Sequence, residues 1–153
     1  MKHLKIGDKA PAFSGTDQNS NTVSLADYKG KKVVIYFYPK DDTPGCTAQA
    51  CNLRDNYSDL LSNGIQVIGV SADSVKSHSK FTDKYSLPFP LIADEDRKVI
   101  EAFGVWGPKK FMGKTYDGIH RTTFVIGEDQ TIKAIIDKPD TKNHSQEIFK
   151  ILE

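Results

Sequence analysis

Two cysteines, Cys46 and Cys51, are the only thiols of the 153-residue chain, and they share the segment TPGCTAQAC. Thr43, Pro44, Gly45 and Cys46 read as an N-cap, a proline at N1 and two further positions of a first helical turn. Cys46 is thereby expected where backbone amides lack partners and the helix dipole is positive. An ordinary thiol, with a pKa of about 8.5, is only a few per cent ionised at neutral pH. At a helix N-terminus, especially beside an arginine, that pKa falls to roughly 3.5–7.5. The chemistry implied is nucleophilic attack by a thiolate.

The second thiol narrows the possibilities. Residues i and i+5 of an α-helix lie about 140° apart around the axis and about 7.5 Å apart along it, so their Cα atoms are separated by roughly 8.6 Å. A disulfide needs less than ~7 Å. Cys46 and Cys51 therefore cannot bond while both are helical, but they can if the first turns unwind. Cys46 lies on the apolar stripe of its helix, whereas Cys51 falls towards the face carrying Asp55 and Ser58. A bland alternative stands beside this switch: two small apolar residues packed in a helix, as free cysteines often are. A metal site is disfavoured, since there is no CxxC pair and His3, His78, His120 and His144 are scattered without ligand spacing.

The elements that must position Cys46 follow from periodicity. Val33 to Tyr38 is a continuous apolar run, as expected of a strand covered on both faces. The helix after it carries Cys46, Ala50, Leu53, Tyr57, Leu60 and Leu61 on one stripe and stops at Asn63-Gly64. Ile65 to Val70 is a second buried strand, Ser74 to Tyr85 a helix, and Leu91-Ile92 a short strand. Asp94 begins a helix that ends at Gly104. No periodicity is visible from Val105 to Gly118, which reads as a functional loop, with Trp106 and Phe111 as surface or core cover. His120 to Ile126 and Thr131 to Ile136 are adjacent antiparallel strands, and a last helix starts at Asn143 with Gln146 completing a capping box. Upstream, Ala12 to Thr16 and Thr22 to Ser24 form a small hairpin. The order predicts one α/β domain over 1–153, with a mixed central sheet, helices on both faces and an N-terminal β-hairpin extension.

Bulk properties exclude several classes. Lys and Arg number 21 and Asp and Glu 20, with no basic stripe interleaved with aromatics, so nucleic acid is not an expected partner. No apolar run spans a membrane and the N-terminus lacks the apolar core of a signal peptide, so a cytoplasmic protein is expected. In a reducing compartment two cysteines point to redox or catalytic use more than to a structural staple.

At this point a resemblance becomes specific. YPKDDTPGCTAQAC resembles the active-site segment of the peroxiredoxins, a proline, three residues, a threonine, two residues and a cysteine, here Pro39, Thr43 and Cys46. The second cysteine five residues on is similar to the branch called bacterioferritin comigratory protein, or Q-type peroxiredoxin. GDKAPAF at the start, LRD at 53–55, GVSADS at 69–74 and HRTTFVI at 120–126 extend the resemblance along nearly the whole chain. It implies a thioredoxin-like fold and reduction of hydrogen peroxide and organic hydroperoxides without cofactor or metal. By the same resemblance Cys46 is the peroxidatic thiolate. Cys51 is the resolving thiol, closing an intramolecular disulfide that thioredoxin or a similar donor reduces. Thr43 would hydrogen-bond thiolate and peroxide, Pro39 would shield the sulfenic acid, and Arg121 would stabilise thiolate and leaving oxygen. Arg54 is read as a structural ion pair with Asp55. Gln49 departs from the family pattern, which often has an acidic residue there. A monomer is expected, because the disulfide closes within one chain and no apolar surface patch is readable. The rival classes are a thioredoxin-like disulfide oxidoreductase, which normally rests on CxxC, and a redox-inert binding domain.

Overall fold

The alternation of side chains along a single strand divides the core. In the computed structural model, which describes residues 4–152, strand β3 (Lys32–Phe37) follows a small hairpin of β1 (Ser14–Thr16) and β2 (Thr22–Ser24). Val33, Ile35 and Phe37 enter one apolar cluster, with Phe13, Leu25, Ile100 and Phe103. Val34, Tyr36 and Tyr38 enter the other, with Cys46, Leu53, Phe81 and Ile148. A strand buried on both faces must be apolar at every position, which is why it reads as an unbroken run.

The central sheet has the order β5-β4-β3-β8-β9. Strands β4 (Ile65–Ser71) and β5 (Leu91–Ala93) run parallel to β3, whereas β8 (Thr122–Ile126) and β9 (Ile132–Ile136) run antiparallel to it. Helices α1 (Pro44–Asp55), α2 (Tyr57–Ser62), α3 (Val75–Tyr85) and α5 (His144–Ile151) contribute to the Cys46 face. Helix α4 (Lys98–Ala102), the β1–β2 hairpin and a 3-10 turn at Leu25–Tyr28 cover the other. The mixed sheet with helices on both faces is as expected from the sequence, and no helix among the described residues is long and apolar enough to cross a membrane.

Three local expectations are not met, one of them through a tertiary contact. The single helix predicted through Leu61 is broken at Asn56, whose Nδ2 donates back to the Asn52 carbonyl at 2.8 Å and competes with the backbone ladder. Leu61 consequently leaves the stripe and is exposed. The stretch read as a loop is a hairpin of β6 (Trp106–Phe111) and β7 (Lys114–Ile119). Its turn places Met112 and Gly113 both at positive φ, and its strands are largely solvated, so they show no alternating pattern. The exposed Phe111, Met112 and Tyr116 on this hairpin are an apolar patch that the sequence did not reveal.

The third concerns the cap of α5. Asn143 does not cap it; its Nδ2 donates to Asp140 Oδ2 at 3.2 Å. The cap comes from α1 instead. Asn52 Oδ1 accepts from the Ser145 amide at 2.7 Å, while its Nδ2 donates to the Lys142 carbonyl at 3.0 Å and to Gln146 Oε1 at 3.3 Å. A cap of this kind contributes about 1 kcal/mol, and here it also fastens two helices together.

Next to that cap, His144 is buried between Glu147 Oε1 (Nδ1, 2.9 Å) and Thr123 Oγ1 (Nε2, 2.9 Å). Glu147 accepts, so Nδ1 carries the proton and Nε2 takes the Thr123 hydroxyl proton. Burial holds the His144 pKa below its ordinary value of 6.5, outweighing Glu147. Between the folded-state pKa and 6.5 the unfolded chain binds the extra proton, so stability rises with pH across that window. Denaturant midpoints measured on acidification below pH 6.5 should therefore fall, and His144→Gln should flatten that part of the profile.

Candidate active site

The site is assembled at the C-terminal end of β3. Tyr38 follows the strand, Pro39 is half-buried, and the turn at 40–43 leads into α1. Asp42 adopts φ 58°, a left-handed conformation that aspartate tolerates better than most residues. It is held there by Lys84 Nζ (2.8 Å) and Tyr85 Oη (2.7 Å), and these hydrogen bonds keep its carboxyl below the usual carboxylate range. Thr43 is extended and Pro44 occupies the first helical position, as expected. The Thr43 hydroxyl does not cap α1; it donates to the Lys40 carbonyl at 2.9 Å. With its proton committed there, Thr43 faces a ligand as an acceptor.

The Thr47 amide donates to the Thr43 carbonyl at 2.8 Å as the helix opens. The Gly45 and Cys46 amides precede it and have no intrahelical acceptor. Cys46 is 1% exposed, its thiol is free, and Cys51 is free and half-buried in the same unbroken helix.

Arg121 reaches this helix start because of sheet topology. Strand β8 runs antiparallel to β3, with Thr122 opposite Phe37, so Arg121 lies just beyond the end of β3. Residues directly opposite share a face: Val125 matches Val34 and Thr123 matches Tyr36, both on the side covered by α1. Arg121 continues that alternation. Its Nη2 donates to Cys46 Sγ at 3.2 Å and its Nη1 to Gln49 Oε1 at 2.7 Å. A planar guanidinium can hold both at once. Gly45 leaves room for it, since a Cβ there would lie 3.2 Å from Arg121 Nη2.

Gln49 is fully buried, and its Nε2 has no partner among the described residues. A carboxylate at this position would bring a charge to compete for Arg121. The amide makes the same hydrogen bond without one, which leaves the arginine charge facing the sulfur. Tyr36 Oη is also buried without a hydrogen-bond partner among the described residues, and its pKa is pushed well up, first by burial and then by the charge of Cys46. Lys109 of β6 was missed in the sequence. Its Nζ donates to the Ile119 carbonyl at 2.8 Å, and its pKa is lowered by burial and by Arg121 while Cys46 opposes the shift. A solvated strand without an apolar rhythm offered no signal for it.

Other sequence candidates fall elsewhere. Arg54 pairs with Asp55 (Nε to Oδ1, 3.0 Å) and donates to the Tyr85 carbonyl at 2.7 Å, as an ion pair that serves structure. Trp106 lies under Arg97, 4.4 Å from ring centroid to Cζ, and Phe111 is solvent-exposed. Asp41, Asp73 and His78 offer ligand atoms within 4.8 Å of one another. Those atoms are engaged: Asp41 accepts from Tyr38 Oη (2.6 Å) and Ser77 Oγ (2.7 Å) and contacts His78 Nδ1 (2.7 Å), and Asp73 accepts from the Asp41 amide (2.8 Å). His120 contacts the Pro108 carbonyl, and His3 lies outside the described residues.

The AhpC/TSA family profile matches residues 6–135. The chain belongs to the AhpC/TSA family. Within it, this peroxiredoxin is 50% identical over 152 residues to peroxiredoxin Bcp of Escherichia coli, covering 99% of this chain and 97% of that one. A cysteine-to-serine mutant of PrxQ from Xylella fastidiosa has the same fold, with a TM-score of 0.93 at 32% identity over 99% of this chain and 97% of that one. The bacterioferritin comigratory protein of Xanthomonas campestris superposes with a TM-score of 0.87 at 30% identity, covering 99% and 97%. This peroxiredoxin is a thiol peroxidase of the Bcp/PrxQ type with a thioredoxin-like fold.

Arg121 is placed to stabilise negative charge on Cys46 Sγ and on an oxygen displaced from a peroxide there. Arg121→Gln should therefore slow reaction of Cys46 with hydrogen peroxide by about tenfold or more. Gln49→Glu, which keeps the hydrogen bond and adds a charge, should slow it several-fold. Second-order rates of the two variants with peroxide, measured by stopped flow, check both.

Proposed function

We propose that the chain is a cytoplasmic, monomeric two-cysteine peroxidase in which Cys46 is peroxidatic and Cys51 resolving. The Cys46 thiolate attacks the terminal oxygen of a hydroperoxide. An S–O bond forms, the O–O bond breaks, and the departing alkoxide or hydroxide takes up a proton. Charge then grows on an oxygen that has Arg121 and the Gly45 and Cys46 amides within the same helix start, the arrangement that lowers such barriers most. Thr43, as acceptor, orients the hydroxyl of the peroxide, and Pro39 walls the pocket against solvent. Cys51 condenses with the sulfenic acid to give a disulfide and water. A dithiol donor of the thioredoxin class reduces the disulfide.

The observation that supports this most is the Arg121 fork, with Nη2 at 3.2 Å from Cys46 Sγ and Nη1 at 2.7 Å from Gln49. A disulfide oxidoreductase would use two thiols close together in the folded state, whereas these are held apart by an intact helix. A redox-inert domain has no use for a cation aimed at a buried sulfur. Alkyl hydroperoxides are included as substrates because the Xanthomonas campestris relative has alkyl peroxide reduction activity. The monomer rests on closure of the disulfide within one chain.

One equivalent of peroxide is expected to lower the intact mass by about two hydrogens through one intramolecular disulfide. Cys46→Ser should abolish peroxide consumption with the fold retained. Cys51→Ser should consume one equivalent and then stall with thioredoxin and its reductase. Sustained turnover by Cys46→Ser would overturn the assignment, and wild-type turnover by Cys51→Ser would remove the resolving role.

A further inference from the structure

Unwinding of α1 must start and stop somewhere, and the hydrogen bonds of the helix are distributed unevenly along it. Among the described residues, every side-chain hydrogen bond from Thr43 to Cys51 that reaches a distant element ends on Arg121, through Cys46 and Gln49. Thr43 bonds only locally, to Lys40. Oxidation acts on that tie itself, because a protonated sulfenic acid offers Arg121 a neutral partner in place of an anion.

Both flanks are fixed in other ways. Before the segment, Asp41 is buried and takes hydrogen bonds from Tyr38 and Ser77, contacts His78, and donates its amide to Asp73. After it come three consecutive anchors. Asn52 caps α5 through Ser145, Lys142 and Gln146, and its carbonyl accepts from Ser145 Oγ at 3.2 Å. Leu53 is fully buried, and Arg54 holds the Tyr85 carbonyl at the end of α3. Cys51 is thus the last residue before the helix is pinned on two sides.

We propose that Asn52 is a positioning residue for resolution: it ends the segment that unwinds and holds Cys51 in place while Cys46 swings to it. This rests on the resolving role proposed for Cys51. Because the Asn52 contacts persist through the transition, they do not oppose it; their loss costs only the position of the resolving thiol. A purely structural anchor, broken during unwinding, would do the opposite, and its removal would speed resolution.

Hydrogen–deuterium exchange on the reduced and peroxide-oxidised full chain tests the boundary. Amides 47–55, whose helical acceptors are the carbonyls of 43–51, should lose protection in the disulfide form, while amides 60–62, Ser145 and 147–151 keep theirs. Loss of protection running into 60–62, Ser145 or 147–151 would overturn the stop at Asn52 and leave the disulfide chemistry standing. A disulfide seen by mass with no loss in 47–55 would overturn the unwinding itself. Stopped-flow kinetics of Asn52→Ala supplies the second readout. The peroxide-dependent step should be unchanged and the peroxide-independent resolving step several-fold slower, with more sulfinic acid at excess peroxide. Resolution that is unchanged or faster would refute the positioning role.

Discussion

One guanidinium sets the terms for the rest of the molecule. Arg121 is the only group among the described residues that hydrogen-bonds the Cys46 sulfur, and it does so while tied to Gln49 one helical turn on. Several otherwise unrelated choices follow from that contact. Strand β8 is antiparallel to β3, so that the residue preceding it emerges beside the start of α1. Residue 45 lacks a side chain, so that the guanidinium can lie close to the helix. Gln49 is neutral, so that the hydrogen bond orienting the arginine does not neutralise it.

The same contact separates two demands that conflict. A thiolate needs a rigid, folded helix start to supply amides and dipole, whereas a disulfide between residues five apart needs that helix opened. In the mechanism proposed above, the fold meets both by holding the reactive segment through a tie that depends on the redox state of the sulfur. The neighbouring segments are held through buried polar networks and helix caps that do not. The Asp41–His78–Tyr38 network on one flank and the Asn52 cap on the other belong to different helices of the same layer, α3 and α5. Local opening then leaves those flanks in place and uncovers only the part of the apolar cluster that Cys46 and Ala50 contribute.

Much of this was legible in the sequence. The buried strand, the cap-and-proline turn, the two cysteines and their spacing each follow from local rules, because helix starts and two-sided strands impose composition directly. The expected cap at Thr43 was right in position and wrong in chemistry: the hydroxyl found the Lys40 carbonyl instead. The capping box at Asn143 failed for a related reason, since a better-placed acceptor, Asn52, arrives from another helix. The β6–β7 hairpin was unreadable because solvated strands need no apolar alternation, and Lys109 was lost with it.

By itself, the sequence determined that this chain carries a thiol at a helix start, a second thiol out of reach along the same helix, and the strand pattern of one mixed sheet. These are properties of neighbours in the chain, where spacing and propensity act. The resemblance named Arg121, but only the tertiary structure decided that one guanidinium reaches the sulfur and Gln49 together, and where the helix is pinned. Those contacts join residues 72, 75 and 93 positions apart, and a local pattern carries no record of which distant side chain will fill a given hydrogen bond.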